Sequence, residues 1–161
     1  MGSGYEVICK KCGYAQSLRL GIGFGYPRLC EEILEEMRNG AFGKRFMKEA
    51  NTISNVAVHA SRAIFVCDTC GAWKLDYAID LCTPVKDKKI RTSRFCVAID
   101  YPKETPYVMP YEIKHEYSII RSKQHRCGKC KTALRPMKKN EKLTCPECGN
   151  TLKKGNEIFW D

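Results

Sequence analysis

The chain has 161 residues, enough for one medium domain or two small ones, with 28 Lys/Arg against 18 Asp/Glu and 11 cysteines. No secretory h-region is seen, and the longest uncharged run, Asn51–Ser61, falls well short of the ~18 apolar residues a membrane span needs. A cytoplasmic protein is expected, in which eleven cysteines point to metal or reactive thiols before disulfides, and the odd count argues against a complete disulfide set.

Residues 1–4 (M-G-S-G) read as an expression remnant and are set outside the fold. Tyr5–Ile8 is strand-like and runs into a Cys-x-x-Cys pair, Cys9/Cys12. Leu18, Leu20, Ile22, Phe24 and Tyr26 alternate with Arg19, Gly21, Gly23 and Gly25, a strand period with a bare glycine face suited to close packing of another backbone. The G-I-G-F-G run fails the dinucleotide fingerprint and lacks the Lys-Ser/Thr of a P-loop. Pro27 then opens a helix with the apolar stripe Tyr26, Cys30, Ile33, Leu34 and Met37, which Gly40 or Gly43 ends. A short second helix is expected over Lys44–Ala50. Cys30 is a small core residue in this reading.

Ala63–Val66 leads into the second pair, Cys67/Cys70, and Trp73, Leu75, Tyr77, Ile79 and Leu81 then alternate as a half-buried strand. Asp76, Asp80 and Cys82 fall on its outer face. A basic hairpin-like stretch, Lys86–Arg94, precedes a further strand, Phe95–Tyr101. Cys82 and Cys96 could approach one another across that hairpin, and a regulatory disulfide there is weighed. Residues 102–117, with Pro102, Pro106 and Pro110, read as an irregular connector. The remainder is a basic segment holding Cys127/Cys130 and Cys145/Cys148, with an apolar tail, Ile158, Phe159 and Trp160, that docks as a strand or anchors a partner.

Eight of the cysteines thus form four Cys-x-x-Cys knuckles, three followed at once by glycine. Two cysteines three apart grip one tetrahedral ion only if the chain turns tightly, and the next residue then favours φ > 0. Four knuckles make two four-cysteine sites, and hence two Zn²⁺ per chain. The 14 residues between Cys130 and Cys145 have ribbon spacing, with a turn at 139–141, so Cys127, Cys130, Cys145 and Cys148 are expected to share one zinc. A redox Cys-x-x-Cys would want a βαβ setting that is lacking here. By elimination Cys9, Cys12, Cys67 and Cys70 form the second site, with residues 13–66 as an insertion of open role. The rival set is Cys67/Cys70 with Cys82 and Cys96.

The fold class expected is mainly β with a helical insertion (α+β). It comprises two zinc-ribbon modules: 5–117, interrupted by helices at about 27–50, and a basic ribbon with apolar tail, 118–161. Filled four-thiolate shells leave no position for water, and His59, His115 and His125 form no H-x-E or H-E-x-x-H motif, so no enzyme is expected. Residues 121–155 hold eleven basic residues (Arg121, Lys123, Arg126, Lys129, Lys131, Arg135, Lys138, Lys139, Lys142, Lys153 and Lys154) against Glu141 and Glu147. Zinc thiolates reduce but do not cancel this excess. Sequence-independent contact with DNA or RNA phosphates is one reading. Lysines that merely keep the ribbon soluble are the bland one. The segment has no aromatic between Ser118 and Ile158, apart from the histidine rings, to stack bases. The alternative function is a protein-interaction or regulatory adaptor that uses the helical insertion and Ile158-Phe159-Trp160.

The motifs Y-E-V-I-C-K-K-C-G-Y, G-x-G-F-x-Y-P, F-V-C-D-T-C-G-A-W and the closing ribbon with its W-D tail resemble a group of small, uncharacterised bacterial zinc-ribbon proteins. The resemblance runs over most of residues 5–161. It implies zinc ligands at the four knuckles and a rubredoxin-like ribbon fold, and adds no biochemical activity.

Overall fold

A computed structural model describes residues 2–85, 107–113 and 115–161. The expected elements at Lys86–Arg94 and Phe95–Tyr101, and the Cys82–Cys96 approach, lie outside the described residues. The described elements are mainly β with two helices: β1 Gly2–Ile8, β2 Ala15–Leu20, α1 Tyr26–Arg38, α2 Lys44–Thr52, β3 Ala57–Val66, β4 Trp73–Pro84, β5 Tyr117–Ser122, β6 Arg135–Pro136 and β7 Lys153–Trp160. One sheet has the order β2-β1-β7 and the other β5-β4-β3-β6. No helix among the described residues is long and apolar enough to cross a membrane.

The chain divides into two discontinuous compact units, 1–24 with 61–77 and 124–161, and 25–60 with 78–123. A boundary at 117/118 is therefore not where the contacts divide. The cause lies in strand pairing: β1, from the N-terminal end, pairs antiparallel with β7, from the C-terminal end. Residues 2–4, set outside the fold by their sequence, are paired within it. Ser3 faces Leu20 on one side and Phe159 on the other, so they extend the central strand of a sheet.

In the first unit the knuckle strands share a core of Val7, Leu18, Ile64, Val66, Leu143 and Leu152, joined by Cys9 and Cys145. Alternation explains why β1 contributes Val7 and β2 contributes Leu18. The glycine-alternating strand ends earlier than its period suggests, at Leu20, with one further bridge from Gly21 to Arg62. The bare space at Gly23 is filled by the chain's last residues, a side chain and a backbone together: an added Cβ would lie 2.7 Å from the Trp160 ring and 3.1 Å from the Asp161 backbone. Trp160 also donates its indole N–H to the Leu20 carbonyl at 3.1 Å.

In the second unit α1 buries the expected stripe, Tyr26, Cys30, Ile33, Leu34 and Met37, and the chain leaves it through Gly40 at φ 87°. Asn51 ties α2 to α1 by donating to the Arg38 carbonyl at 3.1 Å. Arg121 of β5 meets Glu49 of α2 through two nitrogens. Cys82 does not share the wet face with Asp80. A register shift between Leu81 and Cys82, where β4 meets β5, lets both side chains turn inward, and both are fully buried.

Candidate metal centres

All eight knuckle cysteines belong to the first unit. The four knuckles are built alike. In each, the N–H of the first cysteine donates to the carbonyl five residues on, from Cys9 to Tyr14, Cys67 to Ala72, Cys127 to Thr132 and Cys145 to Asn150. In each, the residue after the second cysteine donates back to the first cysteine's carbonyl. That residue has positive φ in all four: Gly13 at 77°, Gly71 at 69°, Lys131 at 63° and Gly149 at 72°. Lys131 is the one that carries a side chain there.

The knuckles do not pair as their spacing suggests. Cys9 and Cys12 meet Cys145 and Cys148, and Cys67 and Cys70 meet Cys127 and Cys130. The two sites are nested in the chain, one inside the other. This corrects both expected pairings, and the rival set with Cys82 and Cys96 as well. The reason is strand register. Ile8, just before Cys9, faces Lys153, five residues after Cys148. Val66, just before Cys67, faces Arg135, five residues after Cys130. The same offset delivers a short knuckle to the end of a long strand twice. The segment 131–144 does not fold back on itself as a ribbon: the Met137 N–H donates to Ile64, and the Leu134 and Leu152 N–H groups close their own knuckles onto His125 and Leu143.

The sulfur geometry suits a tetrahedral ion. Cys9–Cys148 and Cys12–Cys145 are 3.5 Å apart, Cys67–Cys130 3.4 Å, Cys70–Cys127 3.5 Å and Cys70–Cys130 3.8 Å. Sulfurs about 2.3 Å from a tetrahedral centre stand about 3.8 Å from one another, whereas a disulfide closes to about 2.05 Å. The first cysteine of each knuckle is buried and the second is more open. Backbone N–H groups, that of Cys12 foremost, pull the Cys9 thiol down to about 6. The Thr132 hydroxyl, with further backbone donors, pulls Cys67 down to about 5. In the same pockets Cys12 and Cys70 go the other way, each pushed up to about 12 with the adjoining sulfurs and burial raising them, so negative charge gathers on Cys9 in one set and on Cys67 in the other.

Several contacts around the sites join residues far apart in the sequence. The Thr132 hydroxyl lies 3.2 Å from the Cys67 sulfur and 3.1 Å from that of Cys130. Thr144, next to Cys145, donates to the Gly71 carbonyl at 3.0 Å, and its own carbonyl accepts from the Trp73 indole at 2.7 Å. These two bonds tie the exit of one site to the entry of the other. Arg135 grips Asp68 of the second knuckle, with its Nε 2.9 Å from Oδ1, and also Glu141, with Nη2 2.7 Å from Oε1. His125 is buried against Phe65, ring centroids 3.8 Å apart, with Nε2 3.1 Å from the Tyr77 carbonyl. A signal for the paired layout was present: C-x-x-C-x-x-x-L recurs at 127–134 and 145–152, and both leucines are buried.

The basic residues are divided between the two units. Arg121 and Lys123 belong to the second unit, where Arg121 is held by Glu49 and the Lys123 ammonium lies 5.5 Å from the Phe42 ring. The other nine belong to the first. Of these, Arg135 is spent on carboxylates, Arg126 reaches the Lys131 carbonyl at 3.3 Å, and Lys131 reaches that of Gly128 at 3.0 Å. Lys129, Lys138, Lys139, Lys142 and Lys153 make no ion pair among the described residues. In the tail Trp160 is tied into its sheet, Ile158 is half-buried, and Phe159 is 74% exposed. Compared with family models, curated proteins and solved structures, the chain matches none.

Proposed function

We propose that this is a non-enzymatic zinc protein whose two four-cysteine centres scaffold a lysine-rich surface that associates with nucleic acid. Four-thiolate tetrahedral sets favour zinc, and a shell filled by four cysteines offers no open position for water or substrate. The observation that carries the nucleic-acid reading is the set of lysines in the first unit left without carboxylate partners among the described residues, Lys129, Lys138, Lys139, Lys142 and Lys153. Arginines that pair internally stabilise the fold, whereas unpaired lysines remain available to phosphates. The experiment is duplex binding at stepped salt. A slope of about −0.9 per neutralised phosphate, with about 3–5 contacts, is expected. Lys138, Lys139 and Lys142 changed together to Ala should flatten it. An adaptor role is the second reading, favoured by the exposure of Phe159, and no binding to any nucleic acid at low salt would leave it standing.

A further inference from the structure

The basic segment lacks an aromatic of its own, but the fold supplies one. A groove of about 610 Å³ opens in the first unit between β1, the start of β7 and the 137–143 segment. Its floor is apolar, formed by Val7, Leu143 and Leu152. Tyr5 and Met137 line its walls. Lys142, Lys153 and Lys154 stand along it, with Asn140 and Thr151 beside them. The one carboxylate in the lining, Glu141, already has both oxygens on Arg135. The Lys154 ammonium lies 4.8 Å from the Tyr5 ring centroid and 3.3 Å from Glu157 on the solvent side. The Glu157 contact is exposed and Tyr5 is half-buried, and an exposed ion pair of this kind is readily given up to a phosphate.

We propose that this groove is a single-stranded nucleic-acid site, in which a base lies against Tyr5 and Met137 and flanking phosphates meet Lys142, Lys153 and Lys154. The chemistry of the lining selects this occupant. An aromatic wall and apolar floor fit a flat ring, three ammonium groups fit its phosphates, and the Asn140 amide and Thr151 hydroxyl can meet base edges without demanding one base. An acidic peptide satisfies the lysines but needs a separate apolar side chain for the floor, whereas a nucleotide carries ring and phosphate in one unit. A duplex keeps its base faces stacked and cannot use Tyr5. The volume is that of about one nucleotide unit with room for the backbone on either side. The proposal rests on the nucleic-acid reading above and adds the strand form and the residues.

The test is fluorescence anisotropy of a labelled single strand of about ten nucleotides, against a duplex of the same sequence, at low and moderate salt. Tyr5→Leu should weaken single-strand binding about tenfold and leave duplex binding unchanged, while Tyr5→Phe should bind as the wild type does. Lys142→Ala and Lys153→Ala should each lower the single-strand salt slope by about 0.7. Metal content of two per chain verifies that each variant is folded, and should Tyr5→Leu lose metal, the Lys142→Ala and Lys153→Ala slopes decide, since unchanged single-strand slopes in both overturn the groove. If Tyr5→Leu and Tyr5→Phe both match wild type on single strands while salt-dependent binding persists, the groove is overturned and the basic surface survives. If neither nucleic-acid form binds at low salt, both proposals fall. If a free nucleoside monophosphate binds as tightly as the strand, with the same Tyr5 dependence, the ligand is a free nucleotide and the strand reading is overturned.

Discussion

The Cys9 and Cys148 sulfurs lie 3.5 Å apart although 139 residues separate them in sequence. Each four-cysteine set is thus a staple across the first unit rather than a local clip. Removing either end should have the same effect. Cys9→Ser and Cys148→Ser should each lower metal content from two to one per chain, and the pair combined should be little worse than either alone. Cys67→Ser and Cys127→Ser should behave the same way toward the other ion. Metal analysis of the four single variants, with hydrogen exchange of β1 and β7, checks this. Loss of the same ion in Cys9→Ser and Cys67→Ser contradicts it.

Thr132 should matter to one centre only. Its hydroxyl reaches two sulfurs of the Cys67/Cys70/Cys127/Cys130 set. Such outer hydrogen bonds typically change metal affinity about 10–100-fold when lost. Thr132→Val should weaken that site by about tenfold and leave the other untouched. Competition with a chromophoric chelator resolves the two affinities, and an equal loss at both sites would count against the assignment.

Lys131 occupies the left-handed position that glycine holds in the other three knuckles. A side chain there costs about 1–2 kcal/mol, and glycine returns about 0.5–1 of that through its freer unfolded chain. Lys131→Gly should therefore stabilise the protein by about 0.5–1 kcal/mol. The reverse change, Gly71→Ala at φ 69°, should destabilise it. Thermal unfolding of the metal-loaded proteins measures both, and a lower midpoint for Lys131→Gly would refute the strain argument.

Glu141 links stability to pH. Arg135, with the Lys138 backbone N–H, holds its carboxyl at about 2, below the ordinary 4.5. A depressed folded pKa means the unfolded chain takes up the proton first. The stability from this carboxylate is therefore full above about 4.5 and is lost as pH falls toward 2. Glu141→Gln should be less stable than wild type at neutral pH, and the gap should close on acidification below about 4.5. Acid also displaces metal from thiolates, so the measured quantity is the difference between the two proteins under matched loading. A gap that does not change with pH removes Glu141 as its source.

How much of this was legible in the sequence depends on the range of each interaction. The knuckles, their glycines and the α1 stripe are local patterns, and Tyr26, Cys30, Ile33, Leu34 and Met37 are buried as their spacing indicates. Knuckle pairing is a matter of sheet register. The 14-residue gap after Cys130 permits a ribbon, and nothing local to it reveals that Val66 faces Arg135 instead. The outward placement of Cys82 fails because a bulge at Leu81/Cys82 breaks the two-residue period on which it rests. Arg121 and Arg135 have the look of phosphate ligands, but Glu49 and Asp68, 72 and 67 residues away, take their guanidinium groups. The groove beside Tyr5 is hidden for the same reason, since strand pairing sets an aromatic from the start of the chain beside lysines from its end.

The nested pairing itself is tested most directly by cadmium-substituted NMR. A ¹¹³Cd–¹H correlation links each bound ion to the β-protons of the cysteines that hold it. Two cadmium resonances are expected. One should correlate with Cys9, Cys12, Cys145 and Cys148, and the other with Cys67, Cys70, Cys127 and Cys130. A resonance connected to both Cys127 and Cys145 would contradict the account, because it would restore the local ribbon that the strand register excludes.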